Sequence, residues 1–140
     1  MSTLMPAASA WLAEADPDPG RASRWLSSTT IVVLPTGTLF DAVKVPLHTG
    51  RLVHEAGIEG PVISDPMGQV LYFLVPPGTS RTWKAGGDIV CRGTGTFLTV
   101  PVPEVTAPPG PHWLQPPTEH GRLVDPGRLA ELLRTVGEAS

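Results

Sequence analysis

Gln69-Val70-Leu71-Tyr72-Phe73-Leu74-Val75, followed at once by Pro76-Pro77-Gly78, decides how the rest of the chain is read. Val70, Tyr72 and Leu74 alternate against Leu71, Phe73 and Val75, so a strand here is apolar on both faces. Such a strand needs cover on both sides and belongs in the middle of a sheet. Its neighbours supply further strands. Residues 61–64 form a short strand, and Asp65-Pro66-Met67-Gly68 turns the chain into the central one. Residues 31–34, Ile-Val-Val-Leu, read as a buried strand ended by Pro35-Thr36-Gly37. Residues 39–45 follow at hairpin distance, with Leu39, Asp41, Val43 and Val45 on one face and Phe40, Ala42 and Lys44 on the other; Pro46 stops them. Residues 88–91 and 96–100 read as a strand pair joined across Arg92-Gly93-Thr94-Gly95. His112-Trp113-Leu114 lies between prolines, which suits a short edge strand.

Helices stand at the ends and once between strands. Met5, Ala8, Leu12 and Ala15 recur at helical spacing, and Asp16-Pro17-Asp18-Pro19-Gly20 breaks that helix. Asp18 then caps a second helix, with Pro19 in its first turn and Trp25 and Leu26 as its core side chains. Thr49 caps a brief helix through Ala56, closed by Gly57. Asp125 and Pro126 start the last helix, whose apolar stripe is Leu129, Leu132, Leu133 and Val136. This order predicts an α+β domain, a mixed or antiparallel sheet flanked by helices. No repeat or linker divides residues 1–140, so a single domain is expected, with an ordered core from about 8 to 137.

Composition narrows the function. Lys and Arg total 10 against 13 Asp and Glu, which argues against nucleic-acid binding by bulk charge. No apolar run approaches the roughly 20 residues of a membrane span. Residues 1–10 lack the features of a secretory signal, so the expected location is the cytoplasm. Cys91 is the sole cysteine, which excludes an internal disulfide and a Cys-based zinc site. It lies in a β-type run and reads as a packed hydrophobe rather than a nucleophile. The four histidines (His48, His54, His112 and His120) have no metal-ligand spacing, and there is neither a Gly-x-Ser-x-Gly elbow nor a P-loop. No Asp-x-Asp pair lies on a strand; Asp16-x-Asp18 is explained by helix capping. No catalytic residue, metal or cofactor is therefore expected. Trp83, with Arg81 and Lys84 beside it, sits in a polar loop and reads either as a partner contact, including a stacking platform for single strands, or as a loop anchor.

Asp88-Ile89-Val90-Cys91-Arg92-Gly93-Thr94-Gly95-Thr96-Phe97-Leu98-Thr99-Val100-Pro101 resembles the D-x-R-G-x-G-G-Y-V-V-A-P-P-S signature of the N-terminal domain of bifunctional DNA primase/polymerases, the prim-pol branch of the archaeo-eukaryotic primase superfamily. Residues 33–46 resemble the family's T-G-…-V-x-D-V-D hairpin, and residues 68–73 its G-G-x-H-x-Y-F strand. The tail from Trp113-Leu114-Gln115 onward is similar to small actinobacterial members. The resemblance implies that Lys44 and Pro46 stand where two metal-binding carboxylates belong, Val70 where a nucleotide-binding histidine belongs, and Asp88 at the third acidic position. A lone carboxylate cannot hold two Mg²⁺ ions, and Lys44 would repel them.

The resemblance thus implies a primase/polymerase-like pseudoenzyme that acts as a binding or regulatory module. The acidic balance and four tryptophans favour a protein partner over nucleic acid. One alternative is a nucleotide or phosphate sensor, in which Lys44, Asp88, Arg92, Gly93 and Gly95 line the former cleft. Another is a nucleotidyltransferase whose metal site is assembled from Asp41, Asp65 and Asp88. The plainer reading of the Arg-Gly-x-Gly element is a tight turn, with Arg92 paired to Asp88 or Asp41. The identity of the partner and the oligomeric state are open at this point.

Overall fold

In the computed structural model, which describes residues 6–85, 88–118 and 121–139, the chain opens with two short helices. Helix α1 is Pro6–Ala13 and α2 is Pro19–Ser28. Asp18 caps α2 as expected, its carboxylate accepting the Arg21 N–H at 3.2 Å. The buried residues of α2 are Ala22 and Leu26, one turn apart. Trp25, expected in the core, is 41% exposed and lies under the Arg21 guanidinium, 5.3 Å from ring centroid to Cζ. It is set off by about 100° from the buried stripe, so it cannot share that stripe's cover. Between the helices, buried Asp16 accepts the Asp18 N–H at 2.8 Å and an Arg21 N–H at 2.9 Å. The Asp18 amide lowers the Asp16 carboxyl below its usual range against the opposing effect of burial, with Arg21 adding to the lowering.

Seven strands and two more helices follow. They are β1 (Ile31–Pro35), β2 (Asp41–Pro46), α3 (Leu47–Glu55), β3 (Val62–Asp65), β4 (Val70–Val75), β5 (Val90–Arg92), β6 (Phe97–Pro101), β7 (His112–Gln115) and α4 (Pro126–Ala139), with a 3₁₀ turn at Thr79–Arg81. Five strands form one sheet in the order β5-β2-β4-β3-β7, and β1 and β6 form a separate ribbon. Every pairing is antiparallel. β4 is central and β7 lies at an edge, as their sequences demand. The fold is α+β.

Two expected pairings are overturned. β1 and β2 are not a hairpin, because β1 pairs with β6 and β2 with β4 and β5. Nor do β5 and β6 pair with each other, since they lie in different sheets. The cause is a seam where both connections cross between the sheets side by side. Thr36 N–H donates to the Thr96 carbonyl at 3.0 Å, and the Thr36 and Thr96 hydroxyls reach the Gly93 carbonyl at 2.6 and 2.8 Å. Burial matches this split. β1 alternates, with Val32 and Leu34 buried and Ile31 and Val33 exposed, rather than being buried throughout. β2 is covered on both faces.

Residues directly opposed in antiparallel strands share a face. Ala42, Ile63, Leu74 and Trp113 therefore face the ribbon and helices α1 and α2, forming one core with Leu12, Leu26, Leu34, Phe40 and Leu98. Val43, Val45, Val62, Leu71, Phe73 and Val75 face α3 and α4, meeting Val53, Leu129 and Leu133. Helix α3 begins at Leu47 after Pro46, so Thr49 lies inside it rather than capping it. Gly57, at φ +96°, closes it. Asp125 caps α4 by accepting the Arg128 N–H at 3.0 Å. Among the described residues no helix is long and apolar enough to cross a membrane.

Two outcomes are expected from this packing. A Cβ at Gly50 would fall 2.8 Å from Leu71 Cδ1 and 2.9 Å from its Cγ, at a contact of α3 with the central strand. Gly50→Ala should therefore lower stability by about 1–3 kcal/mol in urea unfolding, although alanine favours a helix by about 1 kcal/mol. Asp16 carries a lowered folded pKa, so its contribution is present above the unfolded pKa of about 3.9 and is lost as pH falls through the folded value. Asp16→Ala should lower Tm more at pH 7 than at about pH 2, as measured by circular dichroism.

Candidate functional site

The alternation of β2 sends Ala42, Lys44 and Pro46 to the ribbon side of the sheet. On β4 their opposite numbers are Leu74, Tyr72 and Val70, so Lys44 faces Tyr72 and Pro46 faces Val70. On β5, Val90 is opposite Lys44 and Arg92 is opposite Ala42. Lys44 and Arg92 are thus diagonal neighbours on adjacent strands, both half-buried. Across β4, Ile63 and Asp65 of β3 continue the same face. Of the four positions that the resemblance links to metal and nucleotide binding, Lys44, Pro46 and Val70 are therefore brought together, while Asp88 lies in the exposed turn before β5.

Arg92 lies with its Cζ 5.8 Å from the Tyr72 ring centroid. It does not pair with Asp41 or Asp88. Asp41 points to the other side of the sheet and is fully buried. Its Oδ2 accepts the Gly78 and Ser80 N–H groups at 3.0 and 2.8 Å, tying down the 3₁₀ turn, while its Oδ1 has no partner. Asp65 faces the ribbon side and its Oδ1 accepts the Gly68 N–H at 3.2 Å. A metal site built from Asp41, Asp65 and Asp88 therefore fails on geometry, since the sheet itself separates the first two. Among the described residues no group of three or more His, Cys, Asp and Glu side chains could hold a metal ion.

A cavity of about 100 Å³ opens between this face and β6, lined in part by Arg92, Tyr72, Asp65, Thr99 and Phe97. Sequence reasoning passed over Tyr72 and Thr99. Tyr72 carried a usable signal, since it is the sole tyrosine and the one hydroxyl in an otherwise apolar strand. Asp88 is exposed in the turn before β5. Gly93 is buried, and a Cβ there would collide with the Ser80 side chain and come 3.3 Å from Asp41 Oδ2. Its lack of a side chain thus serves the packing of the 3₁₀ turn. Gly95, at φ +95°, has open space around it. The loop candidates lie apart from this face. Arg81 and Lys84 are exposed, while Trp83 is half-buried against the core on the helix side, with its indole N–H unpartnered. His112 is buried with Nδ1 2.8 Å from the Gly110 carbonyl, and His54 Nδ1 is buried without a partner.

A family model described as the N-terminal domain of bifunctional DNA primase/polymerase matches residues 2–132. No curated protein and no solved structure matches the chain.

Cys91 faces the helix side, opposite Val43. Burial pushes its thiol up to about 12, with the nearby Asp41 carboxylate adding to the effect. Iodoacetamide should modify native Cys91 far more slowly at pH 8 than it modifies the unfolded chain, with the rate climbing only as pH approaches about 12.

Proposed function

The chain belongs to the bifunctional DNA primase/polymerase N-terminal domain family, and from that premise we propose that it has lost nucleotidyl transfer and works as a binding module for a protein partner. One observation carries the loss of catalysis. Lys44, Pro46 and Val70 share one sheet face, and none of them offers an oxygen ligand there. Two-metal transfer needs clustered carboxylates to hold two divalent cations a few ångströms apart. An ammonium group at the centre of the face opposes such cations by charge.

The choice of a protein partner draws support from the outer face of the ribbon. Ile31, Val33 and Phe97 are 38%, 50% and 63% exposed and alternate with buried Val32, Leu34 and Leu98. Apolar side chains grouped on one exposed face suit contact with another protein. The net charge of −3 argues against affinity for nucleic acid along the chain's surface as a whole.

The test is primer extension with labelled deoxynucleotides in Mg²⁺ and in Mn²⁺. No incorporation above a no-enzyme control is expected in either metal. Extension that disappears in Asp88→Ala would restore the enzyme reading. For the partner, Val33→Glu with Phe97→Glu should abolish co-purification of the native partner without lowering Tm. Retained co-purification would move the interface elsewhere.

A further inference from the structure

We propose that the free edge of β1 is a self-association site, at which the same strand of a second copy of this chain pairs antiparallel about a two-fold axis through Val33. The inference goes beyond the reading of an inactive binding module and does not depend on it, because it uses the edge of β1 rather than its outer face.

The ladder defines the edge. β1 pairs with β6 and with no other strand among the described residues. The Thr36 N–H donates to the Thr96 carbonyl and the Val102 N–H to the Thr30 carbonyl, each at 3.0 Å. The hydrogen-bonded pairs with β6 therefore fall at the even-numbered positions of β1. Ile31, Val33 and Pro35 direct their backbone groups the other way, out of the ribbon. Among the described residues nothing bonds the Ile31 N–H or the Val33 N–H and C=O. Val33 is 50% exposed, and the strand carries neither a charged residue nor a bulge to blunt its edge. The opposite edge of the ribbon is less suited to pairing, since Pro101 removes one of its outward donors.

A second copy is the occupant because the pattern of this edge complements itself. Pairing centred on Val33 sets it against Val33 of the second copy and sets Ile31 against that copy's Pro35. The two Val33 residues exchange N–H···O=C bonds, and each Ile31 N–H donates to the Pro35 carbonyl opposite. The reverse bond would need a proline N–H, which does not exist. The Ile31 carbonyl that would receive it already accepts the Thr29 hydroxyl at 2.9 Å. The missing donor thus faces the acceptor already in use, and every outward donor finds an acceptor. An unrelated strand would place an N–H against that occupied carbonyl. Side chains agree with the backbone. Opposed residues share a face, so the two Val33 side chains meet, Ile31 meets Pro35, and exposed Phe97 of each copy extends one apolar surface across the pair. The pairing is short, so association is weak and concentration-dependent.

The experiment is sedimentation equilibrium of the purified chain over a concentration series up to about 1 mM. The average mass is expected to climb from that of one chain towards that of two. Val33→Pro removes the outward donor while leaving the β6 ladder intact, and Val33→Lys sets two like charges directly opposite each other. Each should hold the mass at one chain throughout, with Tm in dilute solution unchanged. Phe97→Glu, on the strand away from the pairing edge, should still dimerise. Amide hydrogen exchange at Ile31 and Val33 should slow as concentration rises, while exchange at Thr99, which points out of the opposite edge, stays constant. A mass of one chain at every concentration would overturn the proposal and leave the reading of the outer face as a partner surface standing. Dimers that persist in both Val33 variants, or whose formation leaves exchange at Ile31 and Val33 unaltered, would overturn the edge as the contact. Dimers lost in Phe97→Glu but kept in Val33→Pro would assign association to the outer face and overturn the edge likewise.

Discussion

The structure depends on a central strand that cannot be left half-covered. Leu71, Phe73 and Val75 of β4 point to one side and Val70, Tyr72 and Leu74 to the other, and all but Tyr72 are buried. Each Leu or Phe so buried contributes about 1.5–3 kcal/mol, so neither face can be left open to water. One face is met by α3 and α4. The other is met by α1, α2 and the β1–β6 ribbon. The chain therefore builds three layers around a single strand, and the candidate face is a portion of the second side that the ribbon does not fully close.

The ribbon's position is set by polar groups. Thr36, Gly93 and Thr96 join the two crossings by hydrogen bonds, in a place where unpaired backbone would be costly. Beneath them, Asp41 holds the Gly78 and Ser80 amides and Gly93 leaves room for Ser80. Gly93 thus serves two contacts at once, giving its carbonyl to the seam and its missing Cβ to the turn. The result is a fixed β5, and with it a fixed Arg92. The position of Arg92 on one face is supported by buried polar contacts on the other.

The chemistry of that face follows from charge and register. The face presents Lys44 and Arg92 from adjacent strands, with the Arg92 guanidinium over the Tyr72 ring and the cavity beside Arg92 and Tyr72. Asp41, Asp65 and Asp88 do not converge on it, although Asp65 lines the cavity. Asp41 is on the far side of the sheet, Asp65 is engaged by a turn amide, and Asp88 is in the exposed turn.

Much of this was legible in the sequence because it depends on local rules. The alternation of residues 70–75 marked the central strand; Asp18 and Asp125 followed by proline marked two helix starts; and the Leu129, Leu132, Leu133 stripe marked the last helix. The family signature could likewise be read in order. Strand partnership could not. Closeness in sequence suggested hairpins for β1–β2 and β5–β6, but hydrogen bonds between residues some 60 positions apart, such as Thr36 with Gly93 and Thr96, prevailed. The fate of charged and aromatic side chains was equally hidden. Trp25 lay outside its helix stripe, Trp83 turned to the helix-side core, and Arg92 chose Tyr72 over either acid. Local sequence determined which segments became helix or strand and which residues faced each way along them, because periodicity and capping act within a few residues. Tertiary structure alone decided which strands became neighbours, and so which side chains met. That outcome depends on covering both faces of β4 and on satisfying the polar backbone at the seam, and neither condition is written in any one segment.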